Sequence, residues 1–237
     1  MKQNYSNYNK EDQEVWSILF SRQIAQLEEH ACTDFRLGLH RLRSELNADA
    51  IPDFDRLNTL LYKLSGWSIE VVPGLISVND FFMLLSQRKF PSSTWLRKKD
   101  QIHYLEEPDM FHDVFGHIPM LALKEYADFM EQFGKAGMNN PEQVTSLQRL
   151  YWFTVEFGLV QEDGRQKIFG AGLASSFGES SEALHCDKGD LRPFSLETIM
   201  ATGFFTDRHQ DFYFVLKEAQ QLFDAFAEYR ITLPCLT

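Results

Sequence analysis

Two imidazoles and one carboxylate, set among apolar and aromatic residues, limit what this chain can become. The histidines are His112 and His117, in Glu107-Pro108-Asp109-Met110-Phe111-His112-Asp113-Val114-Phe115-Gly116-His117. The carboxylate is Glu156, in Tyr151-Trp152-Phe153-Thr154-Val155-Glu156-Phe157-Gly158. The flanking Phe111, Phe115, Ile118, Val155 and Phe157 argue for burial, and buried polar groups need partners. Three such ligands on one face of an octahedron match a ferrous site with open positions. They point to oxygen chemistry rather than to a closed structural site.

The spacing also constrains the backbone. Pro108 suits the first turn of a helix, where its missing N–H costs nothing. Residues five apart on an ideal α-helix point about 140° away from each other, at about 100° per residue. The spacing therefore predicts that Gly116 and Pro119 stop the helix early, with His112 in its last turn and His117 just past the break. Glu156 then reaches in from the next long helix, sharing a face with Trp152 four residues earlier.

The bland alternative is a pair of helix-end histidines and a solvated glutamate. The apolar flanks favour a metal site over it, but they leave iron and zinc open, because zinc sites also use two histidines and a glutamate. His112-Asp113 resembles the dipeptide of metal-dependent phosphohydrolases, but the further upstream histidine and downstream aspartate that reading needs are not found. His30, His40, His103, His185 and His209 lack ligand-like spacing and read as surface or core-edge residues.

At 237 residues, one compact domain with a large core is expected. A net charge of -11 and a pI near 5.1 speak against nucleic acid or an anionic membrane as partner. Cys32, Cys186 and Cys235 form no disulfide framework or zinc knuckle pattern. The polar start Met1-Lys2-Gln3-Asn4-Tyr5 is no signal peptide, and no apolar run spans a bilayer, so a cytoplasmic protein is expected. The 21 phenylalanines suit a core, and a pocket, walled by rings.

Residues 1–10 read as a disordered lead-in and 11–237 as the catalytic domain. Apolar residues recur at helical spacing from Val15 to Leu46. Pro52-Asp53 opens a helix carrying Leu57, Leu60, Leu61 and Leu64. Trp67 to Val72 predicts a strand ended by Pro73-Gly74. Ser77 and Asp80 are spaced as a capping box before Phe81. Asn140-Pro141-Glu142-Gln143 starts a helix through Leu147, Leu150 and Val155, closed by Gly158. Strands near Ile168-Phe169 and Tyr213–Val215 flank a Gly/Ser-rich loop, and a last helix covers roughly Leu216 to Tyr229. The expected fold is mainly α, one domain with a few short strands.

With these residues in hand, the chain resembles the pterin-dependent aromatic amino acid hydroxylases from about Trp16 to Tyr229, most of all their bacterial branch. Tyr104-Leu105-Glu106-Glu107-Pro108-Asp109, the His112/His117 segment, Tyr151–Gly158 and Phe169-Gly170-Ala171-Gly172-Leu173 before Ser175-Ser176 carry the resemblance. It implies an aromatic amino acid hydroxylase-type catalytic domain using iron(II), tetrahydrobiopterin or a related tetrahydropterin, and dioxygen. L-phenylalanine is the implied substrate, favoured by Arg88-Lys89-Phe90-Pro91 and Thr94-Trp95-Leu96-Arg97; tryptophan or tyrosine is the alternative.

The resemblance also implies residue roles. His112, His117 and Glu156 bind iron. Arg97 clamps the substrate carboxylate with its bidentate fork, held by Asp109, and Ser175 adds a hydrogen bond. Pro108, Trp152 and Phe157 wall the ring pocket. The pterin lies on Gly74-Leu75-Ile76 and under Phe81, near Asp113, with Glu107 an acidic group on that side. Without the resemblance, Arg97 reads as a solvated cation beside Lys98 and Lys99, and Phe81 as core. Animal members carry Glu at the Asp113 position and Thr at Leu105; both departures fit the bacterial branch. The animal regulatory domain and oligomerisation helix have no counterpart here, so a monomer that relies on a separate pterin-recycling system is expected. The rivals are a zinc hydrolase and a non-catalytic pocket protein; the first needs neither oxygen nor pterin, and the second binds an aromatic amino acid without turnover.

Overall fold

The computed structural model describes residues 1–102, 107–185, 190–206 and 208–233. His103, Tyr104, Leu105, Glu106, Cys186 and Cys235, which figure in the readings above, lie outside them. The fold is mainly helical around one aromatic-rich core.

Helix α1 (Lys10–His30) starts at a capping box between Asn9 and Asp12, and α2 (Thr33–Leu42) follows after one turn. The lead-in read as disordered forms a short 3-10 turn, Tyr5–Asn7; the Tyr5 hydroxyl donates to the Ile51 carbonyl and Gln3 Nε2 to that of Pro52. Asp53 caps α3 (Phe54–Ser65), and Gly66 ends it in the left-handed conformation at φ 78°. Strand β1 (Ser68–Val71), close to the strand predicted at Trp67–Val72, pairs in parallel with β2 (Lys89–Ser92). Between them Ser77 caps α4 (Val78–Ser86).

The metal-ligand segment departs from expectation. His112–His117 is a π-helical stretch that runs on into α5 (Ile118–Leu121), with Pro119 inside the continuous helix. No break occurs at Gly116. Instead the backbone widens, and i→i+5 hydrogen bonding turns residues five apart much closer to a common face than an α-helix does. That winding aims both imidazoles the same way, which an α-helix could not. Gly116 serves a different need: a Cβ there would meet the Ala171 carbonyl oxygen at 2.8 Å.

Helix α6 (Lys124–Asn139) packs on α4. Pro141–Gln143 makes a 3-10 turn before α7 (Val144–Tyr151), and a second π-helical stretch, Trp152–Glu156, follows without interruption. Strands β3 (Leu159–Glu162), β4 (Arg165–Ile168), β5 (Leu191–Pro193) and β6 (Tyr213–Leu216) form one sheet in the order β4-β3-β6-β5. The stretch expected to be a Gly/Ser-rich loop is two helices, α8 (Ala171–Ser175) and α9 (Phe177–His185). Small residues there permit close packing rather than looseness: a Cβ on Gly170 would stand 2.2 Å from the Glu156 carbonyl oxygen. Helices α10 (Leu196–Ala201) and α11 (Ala219–Thr232) complete the chain, the last starting three residues later than predicted.

Candidate metal centre

The two π-helical stretches face each other across one end of a cavity of about 330 Å³. One ligating atom from each of His112, His117 and Glu156 lies within 4.8 Å of the others. His117 Nε2 is 3.2 Å from Glu156 Oε1, His112 Nε2 is 3.7 Å from Oε2, and the two Nε2 atoms are 3.3 Å apart. Among the described residues this is the one such grouping of His, Cys, Asp and Glu.

The surroundings orient each ligand. His112 Nδ1 donates to Ser175 Oγ at 2.9 Å, and that hydroxyl gives its own proton to the Ala171 carbonyl. The network thereby assigns the tautomer and leaves Nε2 bare. His117 Nδ1 is buried without a hydrogen-bond partner among the described residues. Its ring is held by packing instead, against Phe90 at 4.5 Å and Tyr151 at 6.2 Å. The Tyr151 phenol lies beside Glu156, and burial holds its pKa well above the ordinary value, so it keeps its proton.

Electrostatics leave His112 and Glu156 in binding form at neutral pH. Burial pushes the His112 pKa down to about 4, only partly opposed by Glu156. Burial alone would raise Glu156, but His117, His112 and Tyr151 outweigh it and bring it to about 2. A neutral imidazole and an ionised carboxylate are the species a metal ion takes. Two imidazoles, a carboxylate and an adjoining cavity suit iron(II) with free positions.

The cavity places most of the remaining predicted residues. Gly74, Leu75, Ile76, Phe81, Pro108, Asp113 and Trp152 line it with the three ligands. Phe81 stands edge-on to Tyr151 at 5.2 Å, and Gly74 takes φ 156°, open to glycine. Asp113 accepts a hydrogen bond from the Ser93 N–H at 2.9 Å, and burial raises its pKa to about 7. Glu107 is exposed, and the wall at that point is Pro108.

Other expectations need adjustment. Arg97 is buried, not a solvated cation: it donates to Asp109 through its backbone N–H, Nε and Nη2, at 2.8–2.9 Å. Asp109 also accepts from the His112 N–H, so the Arg97 pair and the metal helix share one carboxylate. Phe157 backs the Trp152 ring at 4.7 Å rather than lining the cavity itself. Ser175 binds His112, not open space. Sequence reasoning passed over Phe204 and Thr206, which line the cavity from a segment without regular structure. Their only sequence signal is Gly203-Phe204-Phe205, a pair of rings next to a glycine.

A family model described as biopterin-dependent aromatic amino acid hydroxylase matches residues 2–235. The chain is 43% identical over 229 residues to a phenylalanine-4-hydroxylase of Chromobacterium violaceum, covering 96% of this chain and 76% of that relative. A phenylalanine hydroxylase structure from the same organism, with bound iron(III) and oxidised 7,8-dihydrobiopterin, matches with a TM-score of 0.90 at 41% identity, over 99% of this chain and 87% of the other. A further structure of it, with iron and phenylalanine bound, matches with a TM-score of 0.89 at 40% identity, over 100% and 88%.

Proposed function

The chain belongs to the biopterin-dependent aromatic amino acid hydroxylases, and from that premise we infer an iron(II)- and tetrahydropterin-dependent monooxygenase that converts L-phenylalanine to L-tyrosine with dioxygen. The observation that carries the reading is the meeting of His112, His117 and Glu156 at the end of a ring-lined cavity. Bound together, iron and tetrahydropterin supply the activation of dioxygen.

The protein's own work is binding, orientation and exclusion of water. His112, His117 and Glu156 would hold the metal. Phe81, the backbone of residues 74–76 and Asp113, all lining the cavity, would hold the pterin: the ring by stacking, the backbone by hydrogen bonds and Asp113 through its carboxyl. The raised pKa of Asp113 lets that carboxyl accept or donate near neutrality. Glu107 adds negative charge outside the cavity mouth.

Arg97 grips the amino acid's carboxylate. Asp109 takes Nε and Nη2 of the fork, which fixes the guanidinium plane before substrate arrives. Pro108 and Trp152 contact the substrate ring, with Phe157 behind Trp152. Ser175 acts on the substrate only through His112. Residues 11–237 work as one catalytic domain, in a monomer in the cytoplasm, with a separate reductase regenerating the pterin. No described helix is long and apolar enough to cross a membrane.

Anaerobic loading with iron, followed by tetrahydropterin, labelled dioxygen and phenylalanine, tests the reaction. Label in the hydroxyl of tyrosine is expected. Parallel assays on tryptophan and tyrosine rank the substrates. Activity that needs neither oxygen nor pterin would overturn the reading.

A further inference from the structure

One wall of the cavity is built on an indole, that of Trp152. Trp152 begins the same π-helical stretch that ends in Glu156. Its ring lies between Phe157 at 4.7 Å and Phe204, stacked at 4.6 Å with 16° between planes. An indole has one polar atom, the Nε1–H, and it donates to Gln210 Oε1 at 2.9 Å.

Gln210 does more than accept this bond. Its Nε2 donates to the carbonyls of Phe205 at 3.3 Å and Arg208 at 3.4 Å, which orient the amide so that its oxygen faces the indole. Its backbone N–H donates at 3.0 Å to Glu179 Oε1, a buried carboxylate on α9. One residue thus ties a cavity wall on the metal-bearing element, the segment carrying Phe204 and Thr206, and α9. Residues 202–206 and 208–212 belong to no helix or strand, so tertiary contacts place this segment: the stacking of Phe204 on Trp152 and the Gln210 bond to the Phe205 carbonyl.

We propose that Gln210 is a positioning and specificity residue, which sets where the Trp152 and Phe204 rings meet the aromatic ring of the substrate. It is not among the residues that line the cavity. Its effect falls on how the substrate ring is presented, and on whether oxygen activation ends in a hydroxylated ring. The proposal rests on the hydroxylase reading above.

The test is Gln210→Leu, which keeps bulk and removes the amide. Expected are a phenylalanine KM about tenfold higher, a several-fold fall in tyrosine formed per tetrahydropterin consumed, and a narrower preference for phenylalanine over tryptophan. Iron content and the KM for tetrahydropterin should stay at the parent values. Gln210→Glu, which keeps an acceptor for the indole, should recover part of the coupling. In a Trp152→Phe background, which lacks the N–H, Gln210→Leu should add little. Unchanged coupling and phenylalanine KM in Gln210→Leu would overturn the proposal. So would the full loss appearing again in the Trp152→Phe background, because the amide would then act without the indole. If the parent protein bound phenylalanine but formed no tyrosine, the reaction assignment would fail instead. Calorimetric phenylalanine affinity of Gln210→Leu against the parent would still decide the role of Gln210, with an equal affinity rejecting it.

Discussion

Ser175 Oγ accepts a hydrogen bond from His112 Nδ1 at 2.9 Å and donates to the Ala171 carbonyl at the same distance. A hydroxyl has one proton, and here the helix holds it, so the oxygen can only accept from the imidazole. The ring is left with one bare nitrogen, turned toward His117 and Glu156.

Replacing Ser175 by alanine should therefore loosen the metal while sparing the fold, since alanine suits a helix. Loss of such an orienting partner lowers metal affinity by roughly 10–100-fold. An iron titration against a competing chelator measures it. Parent affinity in Ser175→Ala would mean that packing alone orients His112.

Glu156→Gln keeps the shape but removes the charge between two imidazoles. Iron retention after gel filtration should fall sharply and tyrosine formation should cease. A variant with full iron and full rate would take Glu156 out of the ligand set.

Arg97→Ala should act twice. The phenylalanine KM rises strongly, because the carboxylate anchor is gone. Stability also falls by about 3–5 kcal/mol, because the fully buried Asp109 loses its cation. Urea unfolding reports the second effect separately from kinetics. A folded variant with parent KM would show that the carboxylate is held elsewhere.

Gly170→Ala forces a methyl group to within 2.2 Å of the Glu156 carbonyl oxygen unless the backbone moves. Overpacking of this kind costs about 1–3 kcal/mol, and here the displaced backbone carries a metal ligand, so iron content should drop too. Gly203→Ala, with nothing within 4 Å of the added carbon, is the control and should change neither.

In the metal-free protein, His112 and Glu156 should each withdraw stability on the acid side, in two stages. His112 has a folded pKa of about 4, below its ordinary 6.5, so the unfolded chain binds its proton first. That contribution is complete above about pH 6.5 and is lost as pH falls toward 4. Glu156, lowered from 4.5 to about 2, contributes above 4.5 and is lost as pH falls toward 2. Asp113, raised to about 7, works the other way between pH 7 and 3.8, so His112 is read by comparison: from pH 7.5 to 5 the urea midpoint of the parent should fall relative to that of His112→Gln. A parent midpoint that rises relative to that of His112→Gln between pH 7.5 and 5 would reverse the sign assigned to His112.

Much of the helical skeleton was legible because its ends are marked by short polar side chains. Asp53 and Ser77 cap α3 and α4 through their own side chains, and Pro141 follows Asn140 at the turn before α7. Helix α6 follows Leu123, whose side chain cannot cap it, so no local residue announces its start. Glycine and serine around residues 170–176 suggested a loop; their small size instead lets α8 approach Glu156 and Gly116 closely.

By itself, the order of residues determined that two imidazoles and a carboxylate sit in apolar surroundings, and that the chain is mostly helical. Those facts are local, since they depend on spacing, caps and the side chains next door. Tertiary structure decided how residues five apart come to face one ion. The backbone widened into a π-helical stretch where α8 packs against it, a choice that local spacing leaves open. It also decided that Arg97 is buried on Asp109 and that Gln210 reaches Trp152 across 58 positions. Contacts between distant segments exist only once the core has closed, and no local pattern encodes them.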